Sequence, residues 1–308
     1  MKKTGLSLQL GALFALISAL LFSSKAIFIK QAYAITPNLE AITLMAIRML
    51  SALPFFLLIC WFFRKKTPKV GLRTWLYLIF VAMLGYYISS WFDFFGLMFI
   101  SATLERIILF LYPTLTVVLS RFIFKQKLHP KVIFALILSY GGTLLVMLQE
   151  QQAMPEQGNF WLGASLVFTS AITFACYLLL TPPLIQKFGS WNLTGLSLSA
   201  ACIGTLIHFF MTTPQPFILL SELPLSIYGY GIILGLFVTV LPTILLVLSI
   251  EYLGSSQSAM ISAISPILTI LLAVLFLNEH LNMVQWLGCI FNIIGVMIIT
   301  LSKKRLMN

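Results

Sequence analysis

Apolar residues fall along this chain in long blocks separated by short polar stretches. A helix that crosses a membrane needs about 20 mainly apolar residues, because it rises about 1.5 Å per residue through a hydrocarbon layer roughly 30 Å thick. Ten blocks meet that length, at residues 8–30, 39–63, 74–97, 102–123, 131–148, 161–185, 192–212, 226–250, 256–277 and 284–302. None alternates apolar and polar positions as the strand of a membrane barrel does. The longest links, Gln149–Phe160 and Thr213–Leu225, carry Pro, Gln and Glu. The pattern predicts an all-α membrane protein with ten transmembrane helices. Met1-Lys2-Lys3, the run Leu6–Phe22 and Ser24-Lys25-Ala26 imitate a cleavable signal peptide, but the apolar run resumes at Ile27–Ile29. An uncleaved first helix is the expectation.

Composition agrees. The chain is 60% hydrophobic and 9% charged, whereas soluble domains carry about 25% charged residues. A net charge of +11 does not argue for nucleic acid, because Lys and Arg sit in short clusters between apolar runs, the pattern of cytoplasmic membrane loops. Those clusters are Lys2 and Lys3; Arg64, Lys65, Lys66, Lys69 and Arg73; Arg121, Lys125, Lys127 and Lys131; Lys187; and Lys303, Lys304 and Arg305. With ten helices threaded, all fall on one side, and Glu40, Glu150, Glu156, Glu222 and Glu279 fall on the other. Both termini are therefore expected in the cytoplasm, with the chain in the cell (inner) membrane. Cys60, Cys176, Cys202 and Cys289 are scattered through apolar blocks and read as small core residues, not disulfides or metal ligands. There is no H-E-x-x-H, G-x-S-x-G, P-loop or Gly-rich dinucleotide turn, so neither an enzyme nor a cofactor is expected. Without an ATP site, any transport is driven by a gradient or is passive.

The chain repeats itself. Residue n set against n+153 pairs Pro113 with Pro266, Thr116 with Thr269, Leu128 with Leu281 and Gly142 with Gly295. Leu10-Gly11-Ala12 pairs with Leu162-Gly163-Ala164 at an offset of 152. The expected domains are two five-helix repeats, 1–149 and 150–308. Five is odd, so the second repeat enters the membrane inverted. Inverted repeats place a binding site at the interface of the halves and supply two related states, one open to each side.

Several motifs carry a family likeness: SALLFSSKAIFIK in the first helix, Arg48 in the second, Ser101–Thr103 opening a Pro-bearing fourth helix, and AISPILTILLAVLFLNEHL with Gly295 beyond. Over its whole length the chain resembles the drug/metabolite transporter superfamily, EamA-type. The resemblance implies ten helices in two homologous halves that export or exchange small metabolites such as amino acids. Phe22-Ser23 replaces the Trp-Gly common in the family's first helix, and Lys125-Gln126 replaces the Gly-Glu that often ends the fourth, while Asn278-Glu279 keeps the acid in the second half.

The candidate chemistry centres on Trp91–Pro113, an apolar stretch holding Asp93, Glu105 and Arg106. A charge in a membrane span costs about 2.5–3.5 kcal/mol on insertion scales and is a functional hypothesis by default. Lys25, Arg48, Asp93, Glu105 and Arg106 all map to the outer half of the first repeat. Tyr177 and Leu246 stand where the second repeat would match Lys25 and Asp93. Two readings are open. The five could pair among themselves as an outer gate or as a helix-register device. Alternatively, Lys25 or Arg48 receives a substrate carboxylate while Asp93 or Glu105 receives an amine or a coupling proton. Three cations against two anions favour an anionic or carboxylate-bearing cargo. Glu251 reads as a proton relay or a solvated helix end, and His208 as structural or titrating. Tyr86, Tyr87, Trp91, Tyr112 and Tyr177 read as cavity lining or interfacial belt. Pro113 and Pro266 free carbonyls mid-helix or bend the bundle.

The expectation is a secondary transporter working by alternating access, moving a small zwitterionic or anionic metabolite outward, with protons as a candidate coupling ion. Its expected partners are the bilayer and a small molecule, without nucleic acid, as a monomer or weak homodimer. A passive channel or lipid scramblase is the alternative, and a membrane scaffold a further one.

Overall fold

The computed structural model describes residues 5–64, 69–124, 130–153 and 159–306. Lys2, Lys3, Lys65, Lys66, Lys125, Gln126, Lys127 and Glu156 lie outside the described residues, as do the side chains of Lys303, Lys304 and Arg305. Among the described residues, ten helices are long and apolar enough to cross a membrane: spans one to ten are Leu8–Ile35, Ala41–Phe63, Leu72–Gly96, Ala102–Ile123, Pro130–Gln152, Phe160–Leu180, Ser190–Thr212, Leu225–Leu253, Gln257–Leu277 and Met283–Thr300. Span one runs further than its expected end at residue 30. Lys30 does not stop it, because the ammonium donates to the carbonyls of Leu97 (3.2 Å) and Ile100 (3.1 Å) and needs no water.

The packing has an approximate two-fold symmetry that exchanges the repeats. Span one lies on span eight and span six on span three, while spans two and seven, four and nine, and five and ten pair across the axis. Individual bonds repeat. Ser18 donates to the carbonyl of Pro242 at 2.8 Å, and its counterpart Ser170 donates to the carbonyl of Ser89 at 2.8 Å. A Cβ on Gly11 would meet Leu253 and Tyr252 side chains at 2.7 Å, and one on Gly163 would meet Phe99 at 2.6 Å and Ile100 at 3.0 Å. These are the same places in the two halves, so the chain is two inverted five-helix repeats. Between spans five and ten the backbones touch. A Cβ on Gly142 would strike the Gly288 carbonyl, and one on Gly288 or Gly295 would lie 2.6 Å from the carbonyl of Gly142 or Ala135. Small residues permit such an approach, and it is how helices bind each other where lipid offers no hydrophobic gain.

The spans are interrupted in matched places. Span three contains a π-turn at Met83–Ile88 and span eight one at Leu236–Val240. Span four breaks between Leu109 and Tyr112, and span nine between Ser262 and Ser265, each just before its proline. Pro113 and Pro266 lack the N–H that would continue the preceding turn. The expectation of one continuous fourth helix with Pro113 near its middle is thus replaced by two segments. Span six is helical through the matching residues and is interrupted later, at Thr181, whereas its partner, span one, breaks at Ser23–Ser24. There the hydroxyls turn back on the backbone, Ser23 to Ala19 (2.6 Å) and Ser24 to Leu21 (2.8 Å), and such bonding bends helices.

Candidate functional site

The charges converge where span three turns into span four. Span three ends at Gly96, and Ser101, in extended backbone, opens span four by accepting the N–H of Leu104 at 3.0 Å. Asp93 lies one turn before this corner and Glu105 one turn after it, and both are buried. Lys25, the first residue beyond the break in span one, reaches both carboxylates, with Nζ 2.5 Å from Asp93 Oδ2 and 3.1 Å from Glu105 Oε1. Arg106 completes the group. Its Nε is 3.9 Å from Glu105 Oε2 and its Nη2 donates to the Phe22 carbonyl at 3.2 Å. The break itself is tied to the second repeat: Ser23 and Ser265 hydroxyls lie 2.8 Å apart, and Thr269 donates to the Ser23 carbonyl at 3.1 Å. Two acids and two bases therefore sit together at the seam of the halves.

Arg48 stands apart from this network. Its Nε donates to Thr239 Oγ1, in the π-turn of span eight, at 2.8 Å, and its guanidinium lies 5.1 Å from the centroid of the Phe94 ring. Among the described residues no carboxylate comes within 4.0 Å of it. The five residues expected as one cluster are four plus one, because Phe94, and not its neighbour Asp93, faces the guanidinium. Asp93 Oδ1, Glu105 Oε2, Arg106 Nε and Arg48 Nη1 are buried without a hydrogen-bond partner among the described residues.

The aromatic residues form two groups instead of one lining. Tyr87 meets His208 Nδ1 at 2.7 Å, with the Trp91 ring edge-on to His208 at 5.5 Å, between spans three and seven. Tyr177 meets the Tyr86 hydroxyl at 2.8 Å and continues through Phe174 to Tyr112. Tyr86 and Tyr87 are successive residues of the π-turn, so they face different spans. Glu251 is exposed at the opposite face of the bundle and accepts the Trp191 indole N–H at 2.6 Å. Among the described residues, no group of three His, Cys, Asp or Glu is placed to hold a metal ion.

Three residues of the corner were not singled out by sequence. Glu150 accepts the Ser101 N–H (2.8 Å) and hydroxyl (2.7 Å), and Glu279 accepts the N–H groups of Ala102 (2.7 Å) and Thr103 (3.1 Å). Lys30 covers the carbonyls at the end of span three. Acids at a helix N-terminus and a cation at a C-terminus complement the helix dipole.

The model of the EamA-like transporter family matches twice, over residues 9–148 and 161–301. The chain belongs to the EamA-like transporter family. An uncharacterized transporter of Bacillus subtilis (strain 168), YcbK, is 31% identical over 286 residues, covering 91% of this chain and 89% of that one. The uncharacterized transporter sll1319 of Synechocystis is 26% identical and covers 73% of this chain and 63% of its own. One solved structure, described only as the crystal structure of a protein, shares the EamA-type fold with a TM-score of 0.62 at 16% identity, over 97% of this chain and 99% of that chain. This chain is thus a multi-pass membrane protein of a transporter family, and the two matches fall one on each repeat.

Proposed function

We propose that this EamA-family protein is a secondary transporter of the cell (inner) membrane that carries a small zwitterionic or anionic metabolite outward by alternating access. The observation that carries the reading is a set of buried charged groups whose hydrogen bonding is incomplete. Asp93 Oδ1 and, apart from the network, Arg48 Nη1 have no hydrogen-bond partner among the described residues, and Glu105 Oε2 meets Arg106 Nε only at 3.9 Å, too far for a hydrogen bond. An unmade bond on a buried polar group costs about 1–3 kcal/mol. A cargo with an ammonium group and a carboxylate would satisfy both kinds at once. Lys25, already shared between two acids, would hand one of them to the cargo or to a coupling proton. Both termini on the cytoplasmic side, and outward direction, follow from the Lys and Arg clusters and from family likeness respectively.

The test is thermal stabilisation of the purified protein by a panel of amino acids, small carboxylates and nucleobases, repeated in Lys25→Ala, Asp93→Asn and Arg48→Gln. A saturable shift from an amine-bearing carboxylate that these substitutions abolish supports the reading. Hits that survive all three move the site to the aromatic groups. A panel with no hit, together with substrate-independent ion or lipid flux in liposomes, identifies a channel or scramblase instead.

A further inference from the structure

The repeats match in scaffold but not in how their broken helices begin. Span four, opening on the face where the odd-numbered spans end, is held at its N-terminus by three side chains. Ser101 caps Leu104, Glu150 binds Ser101 through both carboxylate oxygens, and Glu279 takes the next two N–H groups. Span nine opens on the opposite face at Gly254, with no side-chain cap and no acid in its first turn. Residue 254 is the counterpart of Ser101, and the counterparts of Glu150 and Glu279 in the chain are Lys303 and Gln126. At these two positions one corner of a nearly symmetric bundle has acids and its counterpart has none; Glu251, near the other corner, accepts the Trp191 indole N–H and not an N–H of span nine.

The geometry shows what those acids join. Glu150 ends span five of the first repeat, whereas Glu279 belongs to the second repeat, just after span nine. Asn278, in the left-handed region at φ 53°, turns the chain out of span nine and directs Glu279 toward span four. Asn282 then joins the same corner by donating to Gln149 at 2.8 Å. Lys30, on span one, holds the carbonyls on the other side of the corner. Spans one, four, five and nine, from both halves, are therefore fastened at one face. That fastening lies on the outer side of the Lys25–Asp93–Glu105–Arg106 group under the orientation proposed above.

We infer that Glu150 and Glu279 are positioning residues for transport: they lock the outer face, and the lock must release for cargo to leave. Because the sequence puts Gln126 and Lys303 at the counterpart positions, the lock is one-sided, and the inferred resting carrier is closed outside and accessible from inside. This inference rests on the alternating-access reading.

The test uses Ser24→Cys, at the break in span one beside Lys25, as a reporter. A membrane-impermeant maleimide is applied to intact cells and to inside-out vesicles, and labelling of the introduced thiol is quantified by peptide mass spectrometry. The otherwise unaltered chain is expected to label from inside only. Adding Glu150→Gln and Glu279→Gln, singly and together, should raise the outside rate, by about tenfold for the pair given the strength of charge-assisted hydrogen bonds. Ser101→Ala, which removes the hydroxyl's bond to Glu150 and its cap on Leu104 without touching a charge, gives a smaller rise and serves if a Gln variant fails to accumulate. Outside labelling that stays flat in every variant overturns the lock while leaving the transporter reading intact. Labelling from both sides before any Glu is changed overturns alternating access itself. Labelling from the outside alone reverses the resting state and overturns the inference.

Discussion

At the scale of single residues, the decisive fact is that two buried acids and two part-buried cations are joined, among the described residues, by three ion pairs. Lys25 is common to two of them. Burying such groups is costly, and removing one partner of a buried pair costs about 3–5 kcal/mol because a charge is left alone. Lys25→Met should therefore lower stability by about that much, read as the unfolding midpoint in detergent. Lys25→Met with Asp93→Asn should lose much less than the sum of the two single losses, since neither partner of that pair is left alone and the surviving Glu105 keeps Arg106. Additive losses would mean that the Lys25–Asp93 contact carries no coupling. A second prediction concerns Asn278. Asn278→Ala should cost about 1–2 kcal/mol, the left-handed penalty of an ordinary residue, whereas Asn278→Gly should be nearly neutral by the same measurement. The chemistry at this scale was only partly legible in sequence. Asp93, Glu105, Arg106 and Lys25 stand out because a charge in an apolar block is conspicuous. Glu150 and Glu279 counted only as acids of the outer face, with Glu279 also matching a family feature, because their partners are 49 and 177 residues away in the chain. Arg48 was grouped with the acids by depth alone, and depth does not say which way a side chain turns.

At the scale of elements, glycine positions discriminate sharply. Gly142→Ala should destabilise the protein by roughly 1–3 kcal/mol, the usual cost of overpacking, because the new methyl would strike the Gly288 carbonyl and lie 2.6 Å from the Asn292 nitrogen. Its neighbour Gly141 has nothing within 4 Å of a built Cβ, so Gly141→Ala should be neutral or slightly stabilising. Equal effects of the two would contradict the crossing of spans five and ten. Helix existence was legible here, and so were the prolines, since both depend on local composition. The π-turns at Met83–Ile88 and Leu236–Val240 were not: each needs only one extra residue in a helical turn, and no residue type demands it. The break at Ser23–Ser24 was hidden for a similar reason, as serines bend a helix only when their hydroxyls choose the backbone over a neighbour.

At the scale of the whole molecule, the arrangement of ten helices and the inverted duplication were visible before any coordinates, in block lengths and in the 153-residue offset. The proposed orientation in the membrane rests on the clusters of Lys and Arg. A reporter fused at either terminus should therefore be cleaved by protease added to inside-out vesicles and spared in intact cells. Protection of one terminus alone would require an odd number of crossings. What the sequence could not convey is which contacts cross between the repeats, because those depend on how two amphipathic surfaces meet and not on either surface alone.

The glycine-lined crossing of spans five and ten has a mechanical consequence. Backbones in contact there, from Ala135 and Gly295 to Gly142 and Gly288, can neither slide nor separate without breaking tight packing between the two repeats. If the halves rock as proposed, the crossing is the fulcrum. Residues beside it would then travel least and those at the two faces most, and whichever face opened, the other would shut, as the jaws and handles of a pair of tongs do. A disulfide engineered across the fulcrum should leave turnover intact, and one placed at either rim should arrest it.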